Sequence, residues 1–394
     1  MTLSELNCEN QKVIIRVDFN VPLNERKEVT DPTRILAAKP TIETILEKGG
    51  SCILMSHLGR PKGIDPGLSL SHIVSSVEQV LGKTIQFAND SVGEDAKNKA
   101  ANLQAGEILL LENLRFHSEE TSGDTDFAKS LASLADIYVN DAFGTAHRAH
   151  ASTTIIAQFF PQHKVMGSLL EQEIKAIDKV LKTGENPVLA ILGGAKISSK
   201  ITIIENILDK IDHLIIGGGM AYTFVKAQGG EVGESICEDD YLDYTLELIQ
   251  KAQDKNVEIH LPVDVVAADD FSNDAKTQIV SIHAIPNGWQ GLDAGPKSIE
   301  KFAQVVEASK TILWNGPLGV FEFSSFANAT ISLGTVIAKT TQEGAFSLVG
   351  GGDSVAAVKQ FGFEDKVSYV STGGGAMLES LEGKVLPGIA ALKS

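Results

Sequence analysis

The sequence predicts an α/β protein built from two Rossmann-like parallel-sheet domains joined by a long helix. Three observations carry that expectation. The chain has 394 residues, too long for one ordinary domain and enough for two of under about 200 residues each. Short apolar runs alternate with helical patterns in both halves, the arrangement of βαβ units in a parallel sheet. Between the two series, Leu170, Ile174, Ile177 and Leu181 recur at helical spacing, interleaved with Glu171, Glu173, Lys175 and Lys179, which predicts one amphipathic helix from Ser168 to Leu181.

Taken in order, the first half offers Val13-Ile14-Ile15-Arg16-Val17, Cys52-Ile53-Leu54-Met55, Ile108-Leu109-Leu110-Leu111 and Ile137-Tyr138-Val139 as strands. The second half offers Val188-Leu189-Ala190-Ile191-Leu192, Leu214-Ile215-Ile216, Ile259-His260-Leu261, Ile312-Leu313-Trp314, Phe346 to Val349 and Val367-Ser368-Tyr369-Val370. These runs divide the chain into residues 1–168, an interdomain helix over 169–183, and residues 184–376. Ligands of an open α/β sheet bind beyond the carboxyl ends of its strands. Nearly every chemically distinctive residue follows such an end.

The formal net charge of −17 excludes non-specific binding to nucleic acid or to an anionic membrane. A polyanionic substrate therefore requires positive charge concentrated in one place. All six arginines (Arg16, Arg26, Arg34, Arg60, Arg115, Arg148) lie in the first 148 residues, and the clusters Gly193-Gly194, Gly217 to Gly219, Gly350 to Gly352 and Gly373 to Gly375 all lie later. Guanidinium captures carboxylate or phosphate through planar paired hydrogen bonds, whereas glycine turns offer backbone amides. The halves are thus expected to hold anions by different means. Cys8, Cys52 and Cys237 are odd in number and lack metal-ligand spacing, which predicts free thiols in a reducing cytoplasm. No signal pattern and no apolar run of about 18 residues occurs, so a soluble cytoplasmic protein is expected.

In the first half, Asp18-Phe19-Asn20 follows the first run, and Ser56-His57-Leu58-Gly59-Arg60-Pro61 puts an imidazole and a guanidinium on one loop after the second. Asn113-Leu114-Arg115-Phe116 and the stretch Gly144 to His150, with His147, Arg148 and His150, repeat the pattern. Four such loops at the strand ends of one sheet would form a basic pocket for a small polyanion. Each motif alone reads equally well as structure: an Asx-type turn at Asp18, a solvated first-turn residue at Arg34, a core histidine at His57. In the second half, Gly193-Gly194-Ala195-Lys196 opens a helix, so that Lys196 and Lys200, four residues apart, are expected on one helical face. Val349-Gly350-Gly351-Gly352-Asp353-Ser354 lies between an apolar run and a helical one. It reads either as a tight turn or as backbone amides and a helix N-terminus aimed at a phosphate, with Asp353 a hard oxygen ligand for Mg²⁺.

Together with Arg16-Val17-Asp18-Phe19-Asn20-Val21-Pro22, Ser56 to Pro61, Gly193 to Lys196, Trp314-Asn315-Gly316-Pro317-Leu318-Gly319-Val320-Phe321-Glu322 and Ser371-Thr372-Gly373-Gly374-Gly375, this turn resembles the phosphoglycerate kinase family in its bacterial form. The resemblance runs in order along the whole chain and implies that the two Rossmann-like parallel-sheet domains face each other across a cleft. It implies reversible phosphoryl transfer between 1,3-bisphosphoglycerate and MgADP, giving 3-phosphoglycerate and MgATP, by a monomer. It further implies that Asp18, Phe19, Asn20, Arg34, His57, Leu58, Gly59, Arg60, Arg115 and Arg148 hold the phosphoglycerate. Lys196, Lys200, Gly291, Asn315, Glu322, Gly351, Gly352, Asp353 and Ser354 would hold ATP or ADP, with Asp353 on Mg²⁺. Arg34, Lys196, Gly351 and Gly374 would act on the transferring group, and residues 377–394 would pack back onto the first domain. Departures from the common wording, Pro32 and Leu318, touch no functional side chain. Because the acceptor is a carboxylate already ionised at neutral pH, no general base is expected. A kinase acting on acetate would not need so many arginines, and a non-catalytic nucleotide binder has no use for the basic pocket.

Overall fold

The computed structural model describes residues 2–393, which form two compact units divided after Ile174, with residues from Val385 onward belonging to the first. In unit 1, β1 (Lys12–Val17), β2 (Ser51–Met55), β3 (Ile85–Phe87), β4 (Ile108–Leu110), β5 (Ile137–Asp141) and β6 (Lys164–Met166) form one parallel sheet in the order β3-β4-β2-β1-β5-β6. Side chains alternate between two cores. Val13, Ile15, Val17, Cys52 and Leu54 enter one, while Ile14, Ile53 and Met55 enter the other. Burial on both faces explains why these strands read as continuous apolar runs.

In unit 2, the strands are β7 (Val188–Leu192), β8 (His213–Ile216), β9 (Glu231–Val232), β10 (Glu258–His260), β11 (Asp264–Ala268), β12 (Thr277–Ser281), β13 (Ala284–Ile285), β14 (Gln290–Ala294), β15 (Thr311–Asn315), β16 (Phe346–Val349) and β17 (Tyr369–Val370). Six of them make a parallel sheet in the order β10-β8-β7-β15-β16-β17. This is the doubly wound order whose direction reverses between the first strand, β7, and the fourth, β15. A three-stranded antiparallel sheet, β12-β11-β14, and the pair β13-β9 complete the unit.

The expected runs are strands with bounds moved by one or two residues, and β3 and β6 come in addition. Each has three residues, at an edge of the sheet, with Gln86 or Lys164 breaking the apolar run. The antiparallel sheet is also new. In β12, half-buried and exposed residues alternate over five positions, too weak a pattern to stand out against the buried runs. The predicted helix at Ser168–Leu181 is present. Its start is held by Thr41 Oγ1, which accepts from Ser168 N at 2.8 Å, and by Asp141 Oδ1, which accepts from Leu169 N and Leu170 N. The closing helix Pro387–Lys393 lies in unit 1, where Gly388 N donates to Ala146 O at 2.9 Å. Among the described residues no helix is long and apolar enough to cross a membrane.

The antiparallel sheet supplies a helix cap. Asp264 of β11 accepts from Lys297 N and Ser298 N at the start of the helix Pro296–Ala308, and the Ser298 hydroxyl contacts it as well. Asp264→Ala would leave buried donors unpaired, at a cost of about 1–3 kcal/mol. Urea unfolding followed by circular dichroism should show that loss.

Candidate active site

In unit 1 the four loops that carry the predicted polar residues follow β4, β2, β1 and β5, which are neighbours in that order in the sheet. Asp18, directly after β1, holds Arg34 of the helix Thr33–Glu47 through Oδ2 at 2.6 Å from Nη1. Asn20 Oδ1 accepts from Gly59 N at 2.8 Å, and Ser56 Oγ accepts from Phe19 N at 2.8 Å, fastening the β1 loop to the β2 loop. Arg115 Nη1 donates to Gly59 O at 2.8 Å, and Asn113 Nδ2 donates to Leu58 O, so the β4 loop joins the same cluster. Phe19 and Leu58 are buried and serve as the apolar floor under these contacts. Arg60 and Arg148 are exposed and have no side-chain hydrogen bond or ion pair among the described residues, leaving their donors free for an anion.

Arg16 was visible in the sequence only as one arginine of six. It lies fully buried inside β1, donating through Nε to Ser152 Oγ at 2.8 Å and through Nη1 to Val17 O. Ser152 in turn is held by the fully buried Glu120, from Oγ to Oε1 at 2.6 Å and from N to Oε2 at 3.0 Å. Arg16 Nη2 lies 3.1 Å from His57 Nδ1. A guanidinium can only donate, so His57 Nδ1 accepts and its proton sits on Nε2. Burial, and then the charges of Arg16, Arg115 and Arg34, hold the His57 imidazole well below its ordinary value. Burial, and then the charges of Arg115, Arg16 and Arg148, bring His150 down to about 4. Both rings are neutral at neutral pH, and the positive charge of the cluster resides in guanidinium alone.

In unit 2 the loops following β8, β7, β15 and β16 converge. A Cβ on Gly193 would lie 2.0 Å from Pro317 O, so the β7 and β15 loops touch backbone to backbone at the point where the strand order reverses. Asn315, buried at the end of β15, donates from Nδ2 to Gly350 O at 2.7 Å and accepts from Lys200 Nζ through Oδ1. Gly351 has φ +93°, and a Cβ there would meet Asn315 Nδ2 at 2.4 Å. The helix Gly352–Gln360 starts directly after it, with Gly352 and Asp353 exposed in its first turn. Ser354 faces inward and accepts from Gly316 N at 2.5 Å. The two lysines do not share a helical face. Lys196 is extended (φ −133°, ψ 132°), a 3₁₀ turn follows it, and the α-helix begins at Ile201. Lys196 is exposed, whereas Lys200 is partly buried, which lowers its ammonium's value against the opposing pull of Asp353.

Beside these loops lies a cavity of about 650 Å³, walled by apolar side chains that include Ile236, Leu292, Leu318 and Phe323, with Gly291, Glu322 and Asp353 also on its lining. The hydroxyl of Tyr222 stands 2.0 Å from where a Gly291 Cβ would be, so glycine there keeps the wall flat. A flat apolar slot with carboxylates and amides at one side suits an aromatic base with a phosphate tail. Sequence reasoning missed Tyr222, Ile236 and Leu292; the Gly217 to Gly219 cluster after β8 was the available pointer. Gly374 has φ +47°, and a Cβ there would meet nothing within 4 Å. Asp353 offers one exposed carboxylate, and no cluster of three carboxylates lies at this site among the described residues. That donor set fits Mg²⁺ brought in by a nucleotide rather than a cation caged by protein.

The low value of His150 gives a signed expectation. A histidine depressed on folding contributes stability that is present above about pH 6.5 and is lost as the pH falls toward about 4. The stability of the parent protein relative to His150→Gln, from urea midpoints, should therefore decline between pH 7 and pH 4.5.

A family model described as "Phosphoglycerate kinase" matches residues 3–384. The phosphoglycerate kinase of Porphyromonas gingivalis is 53% identical, covering 100% of both chains. The cytosolic phosphoglycerate kinase of Triticum aestivum is 51% identical over 99% of this chain and 97% of its own. Among solved structures, phosphoglycerate kinase from Coxiella burnetii superposes with a TM-score of 0.92 at 42% identity, covering 100% of this chain and 98% of that one. The enzyme from Pyrococcus horikoshii gives 0.84 at 30% identity, with the same coverage.

Proposed function

The chain belongs to the phosphoglycerate kinase family, and from that premise we propose how its residues divide the work of an ATP:3-phosphoglycerate 1-phosphotransferase. The enzyme moves a phosphoryl group reversibly between 1,3-bisphosphoglycerate and MgADP, giving 3-phosphoglycerate and MgATP, in glycolysis and gluconeogenesis. One observation supports the division of roles: beyond the carboxyl ends of its parallel sheet, unit 1 gathers guanidinium groups, whereas unit 2 presents a glycine turn and a helix N-terminus.

The phosphoglycerate belongs to unit 1. Arg60, Arg115 and Arg148 bind its phosphate, while Asp18, Asn20 and neutral His57 bind its hydroxyl and carboxyl oxygens. Arg34, steered by Asp18, reaches the carboxylate that attacks or leaves. The nucleotide belongs to unit 2, with its base in the apolar cavity, its ribose near Glu322, and its phosphates at Gly351, Gly352 and Lys200. Asp353 holds Mg²⁺, which when bound neutralises charge on the terminal phosphates. In the direction that makes the acyl phosphate the carboxylate nucleophile is already ionised, so the protein moves no proton. It supplies alignment and positive charge around a loose, in-line transition state, from Arg34 on one side and from Lys196 with the amides near Gly351 and Gly374 on the other. Ser354 contributes its backbone amide, since its hydroxyl is committed to Gly316. We place the enzyme in the cytoplasm, as a monomer.

Because the two ligands sit on separately folded units, transfer requires the units to draw together and exclude water. The chain passes between the units twice, inside the helix Ser168–Leu181 and after Lys384, and bending at those places is the simplest route. Small-angle scattering should show a smaller radius of gyration with 3-phosphoglycerate and MgATP together than with either alone.

A coupled assay tests the assignment directly: 3-phosphoglycerate with MgATP should turn over, and acetate should not. Arg34→Ala and Lys196→Ala should each lower kcat roughly a hundredfold or more in a folded protein. Near-normal turnover in either variant would remove that residue from the proposed role.

A further inference from the structure

At the edge of the unit 2 sheet, away from the loops that hold the nucleotide, three metal-ligating side chains meet. His213 begins β8, Glu258 lies directly opposite it in register on the edge strand β10, and His260 stands two residues further along β10. The period of two along a strand puts Glu258 and His260 on one face of the sheet. Their ligand atoms and that of His213 all lie within 4.8 Å of one another. His213 Nδ1 and His260 Nε2 are 3.2 Å apart, and His213 Nδ1 is 3.7 Å from Glu258 Oε2.

From this geometry we propose that His213, Glu258 and His260 bind one divalent first-row cation, Zn²⁺ by preference. Two imidazole nitrogens on a tetrahedral zinc at about 2.0–2.1 Å lie about 3.3 Å apart, close to the spacing already present. Two imidazoles and one carboxylate favour Zn²⁺ and its neighbours in the series over Mg²⁺, which takes oxygen ligands. The side chains are graded in exposure: 5% for His260, 24% for His213 and 67% for Glu258. Access is therefore from the Glu258 side, and a fourth position remains for water or a small anion. Lys301, whose Nζ donates to Leu261 O at 3.2 Å, is the opposing charge in the neighbourhood; the Glu258 carboxylate offsets it. A bound ion would tie the three-residue edge strand β10 to β8, a strand pair otherwise held by backbone hydrogen bonds and packing. The cysteines do not enter the site: Cys8 and Cys52 are buried in the unit 1 core, and Cys237 contacts Asp239.

Co²⁺ titration of the full-length, tag-free protein tests the proposal, because tetrahedral Co²⁺ absorbs visibly where the hexaaqua ion scarcely does. The expected result is saturation at one equivalent, displacement by one equivalent of Zn²⁺, and no displacement by excess MgATP. Glu258→Gln and His213→Gln change partly exposed side chains, and their fold is checked by circular dichroism. Each should weaken binding at least ~10-fold, since even an outer partner of a metal ligand is worth 10–100-fold. Binding that persists undiminished in both folded variants would overturn the proposal. So would a near-ultraviolet thiolate band, which places the ion on a cysteine, or displacement by MgATP, which places it at the nucleotide site. Absence of any Co²⁺ or Zn²⁺ uptake at neutral pH would overturn it as well.

Discussion

A parallel strand covered on both faces has little room for chemistry along its length. Both six-stranded sheets here are of that kind, and the constraint decides where everything else goes. Side chains alternate between two cores, as Ile14 against Val13 and Ile15 shows, so the middles of the strands are largely apolar. Polar function is displaced to the loops at one end, where the strands stop and helices begin. Strand order then determines which loops are neighbours. In unit 1 the order β4-β2-β1-β5 gathers Arg115, His57, Asp18 and Arg148, which span 130 residues of the chain from Asp18 to Arg148, onto loops of four adjacent strands.

Arg16 departs from the rule and shows what departure requires. A fully buried guanidinium costs several kcal/mol unless its donors are satisfied. Ser152, the Val17 carbonyl and His57 satisfy three of its nitrogens, with buried Glu120 behind Ser152 as counter-charge. That network reaches the site through His57, whose tautomer it sets. Unit 2 meets the same constraint differently. Its loops meet through backbone, so what must be controlled is how closely chains approach, and Gly193 and Gly351 permit contacts that any Cβ would block.

This difference explains what could be read in advance. Charged motifs at strand ends are legible because Asp18, His57, Arg60, Arg115 and Arg148 stand out from the apolar runs before them. Gly350 to Gly352 and Asp353 are legible for the same reason. Edge strands β3 and β6 were not, because three residues with a polar member carry no period. Tyr222, Ile236 and Leu292 were not, because the wall of an apolar cavity is composed of the same residue types as the core. The Lys196–Lys200 spacing misled: a helical period was assumed across a segment where the chain is still extended and then turns through a 3₁₀ step. Their actual difference, one ammonium in solvent and one against Asn315, comes from that irregular backbone.

The neutral histidines bear on how the basic site works. Burial first, and then the charges of neighbouring arginines, holds His57 and His150 unprotonated. Were those imidazoles to titrate near neutrality, the attraction for a polyanion would vary with every small change in pH. Holding them low transfers the whole charge to guanidinium, which stays protonated across the physiological range. The cluster's charge then varies little with pH, within a chain whose formal net charge is −17. Under the proposed division of roles, a small polyanion is repelled by the chain's net charge and attracted where guanidinium is gathered in unit 1. In that proposal, discrimination between ligands falls to hydrogen-bond geometry at Asp18, Asn20 and His57 rather than to charge.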